Sequence, residues 1–277
     1  MSGTLFVVAT PLGNLGDLSA RAAEVLRTVS VVAAEDTRHT RGLLSHLGAA
    51  PTLLSFHAYS QERRLEGLLA ILRDGRDVAL VTDAGTPAVS DPGAELVAAA
   101  RGEGIAVIPI PGPSAVAAAL SASGLPADRY LFLGFVPRKG RERARLLGRA
   151  VLEEWSVVMF EAPGRLVPLL HDLGELAGQE RRAVVARELT KIHEELRAGT
   201  IAALADYYSS IPPRGEVTVV LEGTGSPAEP ADRTDEAVEQ ATAMLAEGLT
   251  RREVARRITE SLGIPRNDAY RLVMGLP

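Results

Sequence analysis

Short apolar runs rich in β-branched residues recur along this 277-residue chain, and stretches with helical periodicity separate most of them. In the first half the runs lie at Leu5–Ala9, Val29–Ala34, Val78–Val81 and Ile105–Ile110. Fully apolar strands that alternate with helices are typical of a parallel sheet covered on both faces. Residues 1–123 are therefore predicted to form one α/β domain.

A second set of strands is predicted in residues 124–226. The segments YLFLGF, SVVMFEA, RAVVARE and EVTVVLEG are the predicted strands, with helical patterns at 141–151, 164–177 and 200–208 between them. The last strand alternates less cleanly than the others, which indicates an edge strand or a mixed sheet. We expect a second α/β domain here, since a chain of this length tends to divide into two cores.

A polar, proline-containing linker, GSPAEPADRTDE, precedes a helical tail at 234–277. The tail has three short helical patterns. Two interpretations of it stay open. It is either a helix-turn-helix-like piece that contacts nucleic acid or an appendage for packing or dimerisation.

Composition and missing motifs exclude several classes of function. The chain has no cysteine, which excludes disulfides, thiolate metal sites and a thiol nucleophile. Walker A, GxGxxG and GxSxG patterns are absent, and the five histidines lack metal-binding spacing. The net charge of −5 gives no overall attraction to nucleic acid, so such binding would need a local basic patch. With no signal peptide or membrane-length apolar run in the sequence, we expect a cytoplasmic protein.

Three loops rich in Gly and Pro follow predicted strands: ATPLGN (9–14), TDAGTPAVSDPG (82–93) and PIPGPSA (109–115). Ligands of open parallel sheets bind outside the carboxyl ends of the strands. Each loop alone is better interpreted as a tight strand-to-helix turn, and Asp91 with Pro92 is a good start for a helix. Three such loops at one edge favour a binding cleft, in which Asp83 accepts a hydroxyl or an ammonium group.

These segments, together with AAEDTRHT, ARELTK and GEVTVVLEG, resemble the motif series of the tetrapyrrole-methylase superfamily. Within it they resemble the branch that methylates a cytidine 2′-hydroxyl in the decoding region of 16S ribosomal RNA. The resemblance covers nearly the whole chain. The first loop departs from the GxGPG form of tetrapyrrole-modifying members, since it reads Ala9-Thr10-Pro11-Leu12-Gly13. That departure favours the RNA branch over a corrinoid substrate.

The resemblance implies S-adenosylmethionine, bound in the cleft between the two α/β domains. It also implies 16S ribosomal RNA as the partner, within the 30S subunit, and a homodimer. Carried onto this sequence, the implied cofactor contacts are Leu12, Asp83, Gly85, Thr86, Pro87, Ser114, Ala115, Ala162, Arg187 and Thr218.

Charged residues at the end of the second strand are the predicted catalytic group. Glu35 or Asp36 would accept the proton of the ribose hydroxyl or orient the ribose. The predicted catalytic set is completed by Arg38 and by Lys191, one of only two lysines in the chain. The alternative is structural: Asp36 caps a helix and Lys191 pairs with a neighbouring glutamate.

Basic side chains near these motifs are predicted to hold RNA phosphates, which positions the RNA without reading its sequence. The predicted set is His39, Arg41, Arg138, Lys139, Arg141 and Arg143. A second cluster at 251–257 could extend it. The alternative for each cluster is a solvated helix face.

Two rival functions remain at this stage. One is a methyltransferase of the same fold that acts on a tetrapyrrole or a protein side chain. The other is an RNA-binding module without catalytic activity. The intact DAGTP and PGPSA loops argue against it, because a protein that binds no cofactor does not need them.

Overall fold

The computed structural model of the chain describes residues 2–56, 61–225, 234–262 and 266–276. Most of the predicted linker therefore lies outside the described residues. The chain divides into two compact units, Met1–Gly223 and Thr224–Pro277. Within the described part, none of the helices has the length and apolar character needed to cross a membrane.

The first sheet of the larger unit is parallel throughout, as predicted. Its strands in spatial order are β3-β2-β4-β1-β5. Their bounds are β1 Thr4–Val8, β2 Val31–Ala34, β3 Thr52–Ser55, β4 Val78–Val81 and β5 Ala106–Ile110. The sequence analysis missed β3, because this edge strand is short, only partly buried and has just two strongly apolar residues.

Helices cover both faces of this sheet: α1 Ala20–Thr28, α2 Thr37–Leu47, α3 Gln61–Arg73 and α4 Ala94–Gly102. Alternate residues of β4 enter different cores. Val78 and Leu80 pack in one cluster, while Ala79 and Val81 pack in the other. This two-sided burial explains why the strands read as continuous apolar runs.

The second sheet is mixed, with the spatial order β6-β7-β10-β8-β9. Its strands are β6 Tyr130–Phe135, β7 Ser156–Glu161, β8 Arg182–Arg187, β9 Glu195–Thr200 and β10 Val217–Leu221. Of the two alternatives for β10, the mixed sheet is confirmed and the edge position is wrong, because β10 lies in the centre, antiparallel to both neighbours. Its alternation is poor because all five residues are buried. The edge strands are β6 and β9. No apolar run predicts β9, because Leu196 and Ala198 are its only apolar side chains.

Helices α6 (Gly140–Leu152), α7 (Leu166–Ala177) and α8 (Ile201–Ser210) share a core with one face of the second sheet. On the other face packs α5, Ala115–Ser123, whose Val116, Ala119 and Leu120 contact Val158 and Val184. The chain thus passes from the last strand of the first sheet into a helix that packs on the second. This connection holds the two α/β halves in one unit.

The smaller unit contains the three predicted helices: α9 Thr234–Ala246, α10 Arg251–Leu262 and α11 Arg266–Met274. They have a core of their own, formed by Ala237, Ala241, Val254, Ile258 and Val273 with their neighbours. The Arg251 side chain donates to the carbonyl oxygens of Val273 and Met274, both at 3.2 Å, which joins α10 to the end of α11.

Helix α4 begins later than the sequence predicted. Asp91 does not cap it, because the chain turns sharply at Gly93 (φ 132°), which is the N-cap, and helical geometry begins at Ala94. A Cβ atom at Gly93 would lie 2.7 Å from Leu80 Cδ2, so the turn packs directly on the sheet.

We expect Gly93→Ala to lower the free energy of unfolding by about 1–3 kcal/mol, because alanine is strained at this φ and the site has no space for a methyl group. Gly102→Ala at the other end of α4 is the matched control. Its Cβ would meet nothing within 4 Å, so it should be neutral or stabilise by about 0.4–1 kcal/mol. Urea denaturation measures both, and equal midpoints for the two variants would contradict the prediction.

A chain that ends at Gly225 should still unfold cooperatively. The four cores of the larger unit contain only residues between Leu5 and Leu221, so removal of the tail opens none of them. Differential scanning calorimetry of the shortened and full-length chains tests this. A broad transition or the loss of near-ultraviolet circular dichroism in the shortened chain would show that its cores depend on the tail.

Candidate active site

A cleft of about 470 Å³ lies where the loops after the first sheet face the second sheet. One wall consists of residues that follow β1, β2, β4 and β5. The other consists of the ends of β6 and β7 and the beginning of β10. Its lining residues are Leu12, Glu35, Thr82–Thr86, Val89–Asp91, Ser114–Val116, Phe135, Phe160–Pro163 and Gly215–Thr218.

Hydrogen bonds tie the three Gly- and Pro-rich loops to one another. The Thr10 amide donates to the Gly85 carbonyl oxygen (2.8 Å), and the Gly85 amide donates back to Thr10 (3.1 Å). The Thr10 hydroxyl is buried and donates to the Thr82 carbonyl oxygen (3.0 Å). Thr86 extends the chain of contacts to the third loop through the Pro113 carbonyl oxygen (3.2 Å). The three loops therefore form one connected rim, as their position in the sequence predicts.

The second loop has an unusual backbone. Ala88 (φ 65°) and Ser90 (φ 64°) have left-handed conformations, in addition to Gly85 and Gly93. For residues with a Cβ atom such conformations cost on the order of 1–3 kcal/mol each, and they tend to persist at ligand sites. The loop therefore keeps a shape that local stability alone does not favour.

Carboxylates crowd one side of the cleft. Glu35 Oε2 accepts from the Thr82 hydroxyl (2.9 Å), and Asp83 Oδ1 accepts from the Asp36 amide (3.1 Å). Burial raises the pKa of Asp91 to about 6, and the charges of Glu35, Asp83 and Glu216 act in the same direction. Asp91 is thus a carboxyl group that titrates close to neutral pH.

The predicted catalytic pair Glu35 and Asp36 is divided between two environments. Glu35 lines the cleft, whereas Asp36 does not; it caps α2 by accepting from the Arg38 amide (2.8 Å). The Arg38 guanidinium also forms a salt bridge with this carboxylate, with 2.6 Å between Arg38 Nη2 and Asp36 Oδ2. This hydrogen bonding holds the pKa of Asp36 well below its usual range, so Asp36 is a weak proton acceptor. Arg38 itself is 86% exposed.

Most of the predicted cofactor contacts converge on the cleft. Eight of the ten line it: Leu12, Asp83, Gly85, Thr86, Ser114, Ala115, Ala162 and Thr218. Pro87, a residue of the second loop, is buried and is not part of the lining. Arg187 pairs with Glu195 (2.9 Å) and borders a separate cavity with His193.

Lys191 lies behind one wall of the cleft. Its ammonium contacts Glu188 Oε1 (2.9 Å) and Glu216 Oε2 (3.3 Å), and only Glu216 of these lines the cleft. Its aliphatic stem packs on Gly13, where an added Cβ would lie 2.2 Å from Lys191 Cγ. Burial lowers the pKa of Lys191, but the two carboxylates outweigh burial and raise it overall. Lys191 is therefore a protonated partner and not a base.

The predicted phosphate-binding residues are mostly exposed. His39 and Arg41 lie on the surface of α2, and Arg138, Lys139 and Arg141 lie on the surface at the start of α6. Arg143 is the exception and corrects the prediction, because its side chain is only 13% exposed. Its guanidinium is held by Asp172 (2.9 Å from Nε) and the Pro137 carbonyl oxygen (3.0 Å), so it belongs to the interior.

Sequence reasoning missed several residues of the cleft, among them Asp91, Phe135, Phe160, Glu161 and Glu216. Glu161 is fully buried and pairs with Arg165 and, at 3.7 Å, with Arg143. Its Oε2 atom has no hydrogen-bond partner. A signal was available for Asp91, which follows a strand by ten residues inside a recognised motif; it was assigned to a helix cap instead. Among the described residues, no cluster of three or more potential metal ligands occurs.

Comparison with known proteins gives a consistent family. Residues 4–205 match the family described as Tetrapyrrole (Corrin/Porphyrin) Methylases. The Ribosomal RNA small subunit methyltransferase I of a Synechocystis species is 44% identical over 274 residues, which cover 99% of this chain and 98% of that protein. The protein of the same name from Pseudomonas aeruginosa is 43% identical and covers 97% of this chain and 96% of its own length.

Among solved structures, a uroporphyrin-III C-methyltransferase from Thermus thermophilus complexed with S-adenosylhomocysteine has a TM-score of 0.58 at 20% identity. The match covers 79% of this chain and 97% of that one, and at this identity it supports the fold alone. The matched family spans well over half of the chain, and the relatives match over nearly their full length. The chain therefore belongs to the tetrapyrrole (corrin/porphyrin) methylase family, in the branch of the ribosomal RNA small subunit methyltransferase I proteins.

Proposed function

We propose that this protein transfers a methyl group from S-adenosylmethionine to the 2′-hydroxyl of a cytidine in the decoding region of 16S ribosomal RNA. The observation that carries this proposal is the acidic cleft, built from connected loops, in a chain whose relatives at 43–44% identity are named as small-subunit ribosomal RNA methyltransferases. We further propose the 30S subunit as the substrate particle, a homodimer as the working form and the cytoplasm as the location.

The residues of the cleft fit this cofactor. The cleft volume of about 470 Å³ is that of a small-molecule site, for which about 300–1,000 Å³ is usual. Its described lining includes the carboxylates of Glu35, Asp83, Asp91, Glu161 and Glu216 but no Lys, Arg or His. Glu161 is paired with Arg165 and Glu216 with Lys191, so the negative charge comes from Glu35, Asp83 and Asp91. This charge favours a ligand that carries a sulfonium and an ammonium group.

The cofactor would be held by the eight predicted contacts that line the cleft. Leu12, Ala115 and Ala162 offer apolar surface, and Asp83 offers a carboxylate to a hydroxyl or an ammonium group of the cofactor. When bound, S-adenosylmethionine would supply a methyl group on a positively charged sulfur, and the methyl carbon is the atom open to in-line attack by an oxygen nucleophile.

The protein's own task is to align the ribose hydroxyl and to take its proton. We assign proton acceptance to Asp91, because a carboxylate with a pKa of about 6 is a better base at neutral pH than an ordinary one. Glu35, held by the Thr82 hydroxyl, orients the ribose. Asp36 and Arg38 shape the start of α2, and Lys191 fixes the wall of the cleft through Glu216.

Outside the cleft, exposed basic side chains provide phosphate contacts. His39 and Arg41 lie on α2, which starts two residues after Glu35, and Arg138, Lys139 and Arg141 follow Phe135 of the cleft. Their contribution to affinity should fall steeply with salt, since phosphate contacts release counterions.

The direct test is methyl transfer from labelled S-adenosylmethionine to 30S subunits that lack this modification, with tetrapyrrole acceptors and naked 16S RNA in parallel. We expect label on the ribose of one cytidine, with 30S subunits as the best acceptor. Label in the tetrapyrrole alone would overturn the RNA assignment. Binding of the cofactor without any transfer would leave only the cofactor site standing.

Conservative variants test the division of roles. We expect Asp91→Asn to lower kcat by about 100-fold or more, as is typical for loss of a general base, with little change in cofactor affinity. Glu35→Gln should lower kcat/KM for the RNA substrate. Asp36→Asn is the matched control beside Glu35, and it should lower stability while it leaves most of the activity. Loss of activity in Asp36→Asn at full stability would return the catalytic role to Asp36.

The titration of Asp91 predicts the pH dependence of both rate and stability. We expect log(kcat/KM) to rise with pH and level off above about pH 6, because the base must be deprotonated. Between the ordinary carboxyl pKa and about 6 the folded state binds more protons than the unfolded state, so Asp91 lowers stability as pH rises.

Asp91→Asn should therefore be more stable than the wild type at pH 7.5, by roughly 1–2 kcal/mol because the group is only partly buried, and equally stable near pH 3.5. Chemical denaturation at the two pH values measures this difference. A constant difference at both would show that Asp91 is not perturbed.

The shortened chain that ends at Gly225 separates the two interpretations of the helical tail. Weaker binding to 30S subunits with an unchanged oligomeric state of the protein would assign the tail to RNA contact. A fall in mass to that of a monomer, measured by light scattering, would assign it to dimerisation.

A further inference from the structure

A large aromatic side chain lies exposed at the mouth of the cleft. Phe135 is the last residue of β6, lines the cleft, and is 58% exposed. Burial of phenylalanine is the usual outcome of folding, so an aromatic ring left in water beside a ligand cavity calls for a reason.

The local backbone presents this ring to solvent. The pairing of β6 with β7 is regular up to Phe132, shifts its register, and resumes with Phe135 opposite Phe160. Gly134 lies within this irregularity with φ 67°, a conformation that glycine adopts without strain. Bulges of this kind redirect side chains and are common beside active sites. The sequence Leu133-Gly134-Phe135 thus forms a bulge in β6 that leaves the Phe135 side chain exposed to solvent.

The ring is also held in place. Phe135 packs edge to face on Phe160, with ring centroids 5.4 Å apart, and Phe160 packs in the same way on Phe132 at 4.9 Å. Phe160 lines the cleft as well. Phe135 is therefore a rigid surface with one supported side, which loses little conformational entropy when a ligand stacks on it.

The strained second loop continues this apolar surface. A Cβ atom at Gly134 would lie 2.8 Å from Ser90 Oγ, so the loop touches the strand next to Phe135. Val89, which precedes Ser90, lines the cleft and is 43% exposed. The left-handed conformations of Ala88 and Ser90 on either side hold Val89 at the surface.

Positive charge follows directly along the chain. Arg138, Lys139 and Arg141 are exposed and begin three residues after Phe135, which limits the separation of the Phe135 and Arg138 Cα atoms to about 11 Å. An apolar ring next to several cations suits a ligand that has both flat bases and phosphates. Proteins recognise single-stranded RNA in this way, by stacking unpaired bases on aromatic rings.

We propose that Phe135 is the stacking platform for the base of the target nucleotide, which leaves its RNA stack and lies against the ring while Arg138, Lys139 and Arg141 hold the adjoining phosphates. The inference rests on the proposed function and specifies how the RNA is bound at that site. Phe135 is a positioning residue, because it places the ribose hydroxyl at the carboxylates of the cleft and takes no part in the chemistry.

The test compares Phe135→Ala, Phe135→Leu and Phe135→Tyr with the wild type. Leucine keeps apolar bulk without a flat face, and tyrosine keeps the face. Leu176→Ala is the matched control, since Leu176 is a similarly exposed (53%) apolar residue on α7 outside the cleft lining. Five quantities are measured: affinity for S-adenosylmethionine by calorimetry, binding of 30S subunits in the absence of cofactor, kcat and KM for methylation, and the mass of the protein oligomer by light scattering.

We expect the Ala and Leu variants to weaken 30S binding and raise KM by about 10-fold or more, at unchanged cofactor affinity and mass. Phe135→Tyr and Leu176→Ala should resemble the wild type. An equal loss of cofactor affinity would assign the ring to the cofactor, and a change in mass would assign it to a subunit contact; either overturns the proposal. Wild-type behaviour of Phe135→Leu would also overturn it, because then only apolar bulk matters.

These outcomes keep the inference separate from the proposed function. If the wild type methylates 30S subunits and all Phe135 variants do so equally well, the inference fails alone. If the wild type transfers no methyl group to RNA, the proposed function fails and the inference fails with it.

Discussion

The reciprocal hydrogen bonds between Thr10 and Gly85 are the constraint on which the site depends. They join the loop after β1 to the loop after β4, and the Thr10 hydroxyl adds a buried bond to Thr82. Without this junction, Leu12 would belong to one surface loop and Asp83 and Thr86 to another, independent one. With it, the strained backbone at Ala88 and Ser90 has a fixed support, and the loops of the cleft are held in one arrangement. Such preorganisation reduces the entropy that binding must overcome.

In the larger unit, the carboxylates of the cleft and the exposed basic side chains of α2 and α6 lie on different surfaces. Carboxylates line the cleft. Burial and the neighbouring negative charges together raise the pKa of Asp91. The exposed cations lie outside the lining, on α2 and at the start of α6. An acidic interior that suits a cationic cofactor thus lies next to basic surfaces that suit phosphates. A net charge of −5 conceals this arrangement, because it averages the two.

The sequence predicted the parallel first sheet, the tail helices and the convergence of the loops, since apolar runs and Gly-Pro turns report directly on strands and their ends. It did not reveal β3 and β9, which are edge strands with few apolar residues, nor the central place of β10. Neighbouring charges were also indistinguishable by sequence: Glu35 enters the cleft, Asp36 caps α2, and Arg143 is buried beside Asp172. Side-chain direction and ion pairing depend on packing between distant elements, and no local pattern contains that information.

The antiparallel direction of β10 has a consequence for how this fold diversifies. Because β10 runs against β7, the cleft is reached by the residues that enter this strand, Gly215 to Thr218, and not by those that leave it. The segment from Ile211 to Arg214 connects α8 to that entrance, at the protein surface. Insertions or deletions there would resize one wall of the ligand cavity and leave the rim built by the first sheet intact. In this chain, a change in the connection before β10 would thus alter one wall of the cleft independently of the other.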